Sequence, residues 1–298
     1  MTDAFAVATH GLSMRYGKET ALDGVDLRVP EGAVYVLIGP NGAGKSSAMK
    51  VLLNLERADG GRAEVFGLDT ATRGPEVRAQ IGYIPESHEN DYHWMTCARL
   101  IEHAAASYPA WDRAYAARLI DVFGVRVERK IGTLSKGETR RLQFLLALAH
   151  RPPLLLLDEP ADGLDPMVRN RTFAHLAEHL ADTPTTVVIA THHVAEVESL
   201  ADHVGILQGG RLVTQLTRDE LRRTVRSYRF EVPEGWQPPP ELRIAKRSRA
   251  GREVQWTLVG EPDDVTARLA SAGAKMRDVT AVSLEDAALA FLDGEASR

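Results

Sequence analysis

Cysteine is nearly absent from this chain of 298 residues: Cys97 is the single one, so no internal disulfide can form, and a buried or idle thiol is expected. No apolar run reaches the roughly 18–20 residues of a membrane-spanning helix, and residues 1–10 lack a signal peptide's basic start and apolar middle. A net charge of −5, from 36 basic and 41 acidic residues, argues against a chain dedicated to nucleic acid. These absences indicate a soluble, intracellular protein that forms no transport pathway itself.

The most informative segment present is residues 39–46, which read GPNGAGKS. It follows the apolar run 35–38 and precedes a helix-like run that extends to residue 53. Glycines allow successive backbone N–H groups to turn towards a polyphosphate, and the following helix presents its positive end to the same anion. Lys45 is then expected to reach the β- and γ-phosphates, and the Ser46 hydroxyl to bind Mg²⁺. The segment predicts a phosphate-binding loop rather than an ordinary glycine-rich turn.

A second motif is the apolar run 154–157 followed by two carboxylates, Asp158 and Glu159. Such a run is typical of a buried parallel strand whose carboxyl end opens onto a ligand site. Asp158 can hold Mg²⁺ through water, and Glu159 can orient or deprotonate the water that attacks the γ-phosphate. A core strand that ends in a solvated acidic turn is the alternative. Together the two motifs indicate a nucleotide triphosphatase.

Residues 134–138, LSKGE, precede a helix-like segment and lie about 20 residues before the acidic strand. Here the chain resembles the ATP-binding-cassette (ABC) ATPases, in which this loop usually reads Leu-Ser-Gly-Gly-Gln. The resemblance implies that Ser135 and Gly137 cap the γ-phosphate held by a partner subunit. Lys136 and Glu138 depart from the usual glycine and glutamine.

Further elements of that family follow in the expected order. Tyr16 occupies the position of an aromatic ring that stacks on adenine, although by itself it would be a half-buried strand residue. Glu86 stands where a glutamine normally touches the metal and the attacking water. Asp165 belongs to a loop that the family places across the dimer interface. His192 corresponds to the family's switch histidine, chosen over His193 because neighbouring strand residues face opposite sides.

The predicted site therefore has three groups of residues. The catalytic residues are Glu159, His192 and Glu86. The residues that bind ATP are Tyr16, Gly39, Asn41, Gly42, Ala43, Gly44, Lys45, Ser46, Ser47, Ser135, Gly137 and Asp165. The Mg²⁺ ligands are Ser46, Asp158 and Glu86.

The predicted fold is α/β: a P-loop NTPase of ABC type, with a RecA-like core, an antiparallel β flank and a helical subdomain, plus a small C-terminal α+β extension. We assign residues 1–222 to the ATPase domain, with the helical subdomain at about 87–150, and residues 223–298 to the accessory domain. The proline-rich connector 233–240 excludes regular helix. The basic residues within 246–252 are better explained by a solvated hairpin than by binding of lipid or nucleic acid.

The resemblance implies an ATPase subunit that dimerises around ATP and drives a separately encoded membrane permease at the cytoplasmic face of the cell membrane. The loop 134–138 is called the signature loop below. Within the family, the chain looks most like bacterial ABC-2-type exporters in this loop, in Glu86 and in segments 93–96 and 108–112. Residues 86–96 are the hypothetical permease contact, with Tyr92 and Trp94 either exposed for it or buried as core. A soluble ABC ATPase acting on nucleic acid or ribosomes is the alternative, as is a non-hydrolysing member of a heterodimer; homodimer and heterodimer both stay open.

Overall fold

The computed structural model describes residues 4–87 and 92–293, without the side chain of Asp293. The strands in these ranges are β1 (Phe5–Tyr16), β2 (Glu19–Val25), β3 (Arg28–Pro30), β4 (Val34–Ile38), β5 (Gly60–Val65), β6 (Leu68–Asp69), β7 (Ile81–Ile84), β8 (Leu154–Asp158), β9 (Thr186–Thr191), β10 (His203–Gln208), β11 (Arg211–Thr217), β12 (Val225–Glu231), β13 (Arg243–Ala250), β14 (Glu253–Val259) and β15 (Lys275–Ala281). The helices are α1 (Lys45–Leu52), α2 (Gly74–Arg78), α3 (Cys97–Ser107), α4 (Arg113–Phe123), α5 (Lys136–Leu148), α6 (Pro166–Asp182), α7 (Arg218–Thr224), α8 (Pro262–Ser271) and α9 (Leu284–Asp293).

The central sheet has six strands in the order β11-β10-β4-β9-β8-β7. All pairs except β10–β11 are parallel. Strands β4, β8 and β9 are buried at every position, as their continuous apolar sequences predict for a sheet covered on both faces. Ile38 pairs with Thr191 and Asp158 with Ala190, so the carboxyl ends of these three strands lie side by side.

An antiparallel sheet covers one face of the central sheet. Its path is β2-β1-β5-β6, and β3 pairs with β1. Tyr35 and Leu37 of β4 join Leu12, Leu22 and Met49 in the cluster between this flank and the central sheet. Val36 and Ile38, which alternate with them along β4, join the cluster on the helical side instead. The predicted core with its antiparallel flank is confirmed.

The helical region, α3 to α5, covers the other face. Helix α4 begins at the cap Asp112, whose side chain accepts a hydrogen bond from the Tyr115 N–H, and ends at Gly124 in the left-handed conformation (φ 59°). Its residues Leu119 and Phe123 are buried, as their helical spacing predicts. In the ranges described, no helix is long and apolar enough to cross a bilayer.

The C-terminal residues form a four-stranded antiparallel sheet, β13-β14-β12-β15, with its own small cluster around Tyr228, Phe230 and Trp256. Helix α9 packs elsewhere: Phe291 joins the main core together with Val194 and Val197, which follow β9. The tail therefore packs on the ATPase core of its own chain. The boundary at residue 222 stays a prediction, and it falls within α7.

Candidate active site

The predicted catalytic residues come from the ends of adjacent parallel strands. Strand β4 leads into the loop 39–44, β8 ends at Asp158, and β9 ends at Thr191, directly before His192. Strand β7 at the sheet edge leads to Glu86. Since the carboxyl ends of parallel strands share one edge of the sheet, side chains more than a hundred residues apart in sequence meet there.

The phosphate loop is shaped by its glycines and closed by its lysine. Gly44 has a φ of 106°, and a Cβ atom there would lie 2.3 Å from the Ala21 carbonyl oxygen, so only glycine fits. Helix α1 starts at the next residue, Lys45, and therefore aims its free N–H groups into the loop. The Lys45 ammonium donates to the carbonyl oxygens of Gly39, at 2.7 Å, and Pro40, at 3.2 Å. The lysine thus lies across the loop where a polyphosphate would bind.

The Glu159 carboxylate contacts several of the predicted site residues. Its carboxylate accepts hydrogen bonds from the Thr191 hydroxyl at 2.9 Å and from the His192 N–H at 3.1 Å. Its Oε1 atom also lies 2.7 Å from His192 Nδ1 and 3.6 Å from Lys45 Nζ. The backbone of Glu159 has a φ of 44°, a left-handed conformation that is rare outside glycine and is costly unless its surroundings hold it. This geometry brings Lys45, Glu159 and His192 together, as the sequence predicts.

Asp158 lies deeper than Glu159. Burial raises the pKa of its carboxyl to about 6, and the negative charges of Glu86 and Glu159 act in the same direction, whereas a hydrogen bond with the Ser46 side chain opposes them. Its Oδ1 atom is buried without a hydrogen-bond partner among the residues that the structure describes. Asp158 thus contacts Ser46 and keeps one carboxylate oxygen without a partner, and such an oxygen is suited to bind a hard cation.

The residues present therefore fit Mg²⁺ at this position. Ser46 and Asp158 are already in contact, and Glu86 is exposed on the same cleft. Within 4–87 and 92–293, no group of three His, Cys, Asp or Glu residues could hold a metal ion on its own. A cation here would accordingly complete its coordination with phosphate oxygens and water, which is the usual behaviour of Mg²⁺.

A cleft of about 250 Å³ lies above these groups. Its lining includes Tyr16, residues 41–47, Glu86 and Glu159, while Asp158 and His192 contact the lining through Ser46 and Glu159. Tyr16 is 45% exposed, and its hydroxyl donates to the Glu56 carboxylate, which also receives a hydrogen bond from Lys50. The ring thus has a free surface beside the phosphate loop, as an adenine-stacking residue requires.

Ser135 and Gly137 lie at the start of helix α5 and are not among the residues that line the cleft in the described ranges. Ser135 forms a capping box with Glu138: the serine hydroxyl accepts from the Glu138 N–H, and the glutamate side chain accepts from the Ser135 N–H. The Glu138 carboxylate also binds Arg129 at 2.9 Å. The glutamate that departs from the usual glutamine is therefore a local structural anchor.

Asp165 caps helix α6 and accepts hydrogen bonds from the N–H groups of Met167, at 3.1 Å, and Val168, at 3.0 Å. The loop before it packs closely on the signature loop, since a Cβ atom on Gly137 would lie 2.9 Å from the Gly163 carbonyl oxygen. Asp165 likewise lies outside the cleft lining in the part of the chain that is described.

Two aromatic residues near Glu86 are exposed: Tyr92 by 39% and Trp94 by 63%. Of the two alternatives for them, exposure is therefore what the structure shows. The intervening residues 88–91 of the hypothetical permease contact lie outside the described residues. Cys97 is buried, as expected, and the basic residues 246–252 lie on the exposed β13–β14 hairpin.

Sequence reasoning missed two residues of this site. Thr191 binds Glu159, and only its place before His192 at a strand end hints at this role. Arg140 is fully buried beneath the site, yet an arginine on an amphipathic helix normally indicates solvent exposure. No pattern in the sequence around Arg140 predicts that it is buried.

A loop that cradles phosphate before a helix, with two carboxylates and a histidine at neighbouring strand ends, defines a P-loop ATPase. The family model described as "ABC transporter" matches residues 22–162. The daunorubicin/doxorubicin resistance ATP-binding protein DrrA of Streptomyces peucetius is 38% identical over 226 residues, which cover 74% of this chain and 68% of that protein. The chain belongs to the ATP-binding proteins of ABC transporters.

Two other comparisons agree with this membership. The Nod factor export ATP-binding protein I of Burkholderia orbicola is 32% identical, over 86% of each chain. A solved structure described as an ATP-binding subunit of an ABC transporter is 29% identical and has a TM-score of 0.67, over 73% of this chain and 92% of the other. The predicted fold class and ATPase activity are confirmed, and the role of transporter subunit is confirmed over that of a soluble ATPase acting on nucleic acid.

Proposed function

We propose that this chain powers a separate membrane permease of the bacterial ABC-2 exporter type. The observation that carries the proposal is the division of the site: Lys45, Ser46 and Glu159 line one cleft, whereas Ser135 lies outside its lining. A second support is the naming of the relatives, which are proteins of daunorubicin resistance, bacitracin transport and Nod factor export. The permease association places the subunit at the cytoplasmic face of the cell membrane.

Within one chain, Lys45 binds the β- and γ-phosphates after exchanging its carbonyl contacts for phosphate oxygens. Ser46, Asp158 and Glu86 are the residues that would hold Mg²⁺, which supplies positive charge against the phosphates. Glu159 orients the attacking water and accepts its proton, and the His192 ring, held through Nδ1, presents Nε2 to the γ-phosphate. Tyr16 stacks on the adenine.

The second half of the site comes from a partner subunit, either a copy of this chain or a related cassette. Ser135 and Gly137 of the partner cap the γ-phosphate with the N-terminus of helix α5. ATP then binds the closed dimer more tightly than the open one, and that difference in affinity drives closure. Hydrolysis removes the bridging phosphate and allows reopening. The exposed Tyr92 and Trp94 transmit the movement to a cytoplasmic helix of the permease.

The decisive experiment uses Glu159→Gln to arrest the cycle with ATP bound. Membranes of the native host are solubilised with ATP, the variant is captured, and its companions are identified by mass spectrometry. We expect ATP binding without turnover and recovery of a polytopic membrane protein. The matched control carries Lys45→Ala in addition and should recover far less. Recovery only from the soluble fraction, with ribosomes, nucleic acid or nothing, would contradict the transporter proposal.

The permease contact has its own test. Tyr92→Ala with Trp94→Ala should leave basal ATP hydrolysis intact, because neither residue is among those that line the cleft in the described ranges, and should abolish stimulation by the permease. Normal stimulation in this double variant would count against the contact while leaving the transporter role in place.

A further inference from the structure

Arg140 is a fully buried charged residue in the first turns of helix α5, with no exposed surface. Taking a guanidinium out of water is costly unless its N–H groups all find acceptors. Such a residue persists only if its surroundings are built around it. Its partners therefore show what it holds in place.

Those partners are backbone carbonyl groups of two separate loops. Arg140 Nη1 donates to the Pro85 carbonyl oxygen at 2.6 Å, and Nη2 donates to that of Glu86 at 3.1 Å. The Nε–H group points to the Asp162 carbonyl oxygen at 3.4 Å. One planar side chain thus joins the loop after β7 to the loop after β8 and ties both to the signature helix.

A neighbour on the same helix extends this contact. Gln143 accepts a hydrogen bond from Arg140 Nη1 at 3.1 Å and donates one from Nε2 to the Ser87 carbonyl oxygen at 3.2 Å. Helix α5 therefore binds the three consecutive carbonyl groups 85–87. This arrangement holds the backbone of the Glu86 loop, whatever direction its side chains take.

The charge of Arg140 suits this place. The partners within hydrogen-bond distance are neutral, and the negative charges of nearby carboxylates favour the guanidinium from further away, which partly offsets its burial. These carboxylates are Asp162, Asp158, Glu86 and Glu159. Arg140 therefore hydrogen-bonds both loops and is attracted electrostatically by the nearby carboxylates.

We propose that Arg140 is a positioning residue that couples residues 85–87 to the loop leading to Asp165. ATP-driven movement of the loop that follows Glu159 would be transmitted through Arg140 to residues 85–87, and movement of residues 85–87 would return along the same route. The permease side of this coupling rests on the proposed function, whereas the coupling within the chain does not.

The test therefore uses the isolated chain. Ser87→Cys, at an exposed position whose carbonyl oxygen Gln143 binds, is labelled with an environment-sensitive fluorophore in the Glu159→Gln background. The only natural thiol, Cys97, is fully buried and its pKa is raised by burial, so it should not react. ATP affinity and the amplitude of the ATP-induced fluorescence change are measured separately.

Arg140→Lys keeps the charge but loses the planar fork that spans two loops. We expect the fluorescence change to fall about threefold or more while the Kd for ATP changes less than about twofold, because the phosphate-binding residues are untouched. Arg141→Lys is the matched control: Arg141, next on the helix, binds the Phe123 carbonyl oxygen within the helical region and should leave the response intact.

Gln143→Ala provides a milder variant if Arg140→Lys does not fold, since Gln143 is only partly buried. It should reduce the response about twofold, because the contacts of Gln143 with Ser87 and Arg140 are lost while the bonds of Arg140 to the Pro85 and Glu86 carbonyl oxygens remain. A full response in the folded Arg140→Lys protein, or in Gln143→Ala where the first variant fails, would overturn the proposal. So would the absence of any ATP response with Arg140 intact. Each readout is independent of whether a permease is recovered.

Discussion

The two halves of the proposed site are built differently. Lys45 and His192 both contact the buried carboxylate of Glu159 at the sheet edge. The side chains of Ser135 and Asp165 accept hydrogen bonds from N–H groups in the first turns of the helices that they cap. The first half is assembled within one subunit, and the second is held rigid as two helix N-termini.

In the proposed two-subunit site, this difference allows one chain to hold ATP without completing the site. A helix N-terminus is an anion-binding surface whose N–H groups stay oriented without a ligand. It can therefore bind a phosphate held by another subunit with little loss of conformational entropy. The predictions below test whether the two halves act as separate units, beginning with the largest expected effect.

The largest expected effect on ATP hydrolysis comes from mixing two variants, each with a different half of the site damaged. Lys45→Ala removes phosphate binding, and Ser135→Arg blocks the capping surface, so each variant alone should lose hydrolysis by about 100-fold or more. In an equal mixture, half of the dimers have one intact site, and about a quarter of the wild-type rate should return, measured as phosphate release. No recovery in a mixture shown to form mixed dimers would argue against a site shared between subunits.

Neighbouring histidines should differ strongly. The His192 ring contacts Glu159 directly, whereas the exposed His193 ring lies against the His192 ring and its backbone N–H donates to Thr191. His192→Ala should reduce kcat by about 100-fold, and His193→Ala should change it less than about threefold. Equal losses in the two variants would show that the strand end presents both rings to the site.

Replacing Asp158 should raise the stability of the chain and abolish its activity. Its folded pKa of about 6 exceeds the usual 3.8, so protonation favours the folded chain at low pH and this gain is lost as the pH rises through 6. Asp158→Asn should therefore raise the Tm of the nucleotide-free protein above pH 6 by about 2–4 °C for each kcal/mol recovered, while hydrolysis is lost. The gain should shrink between pH 6 and 4 in calorimetry. A constant gain across that range would contradict the assigned pKa.

Glu138→Gln should have the smallest effect. It restores the family's usual residue and can still cap the Ser135 N–H, but it loses the ion pair with the partly exposed Arg129. Unfolding free energy should fall by about 1 kcal/mol or less, measured by denaturant titration, with kcat changed less than about twofold. Arg126→Gln, at the longer and more exposed pair, is the control and should be nearly neutral.

The cassette could be predicted in detail because its signals are local. The all-apolar runs of β4 and β8 appear as buried strands. The C-terminal sheet is harder to predict: the hairpin around residues 246–252 is present as β13 and β14, whereas no sequence signal indicates β12 and β15. Strand β15 is largely exposed and polar, so it has no alternating pattern to reveal it.

By itself, the sequence determined the phosphate loop, the acidic strand end and the family. These depend on short segments whose glycines, lysine and carboxylates act through backbone geometry close in sequence. Only the tertiary structure decided that helix α9 packs behind the segment after His192, that Ser135 lies off the cleft and that Arg140 is buried between two loops. Each of these depends on which distant surfaces meet, and burial and hydrogen-bond partners are properties of that meeting rather than of any single segment.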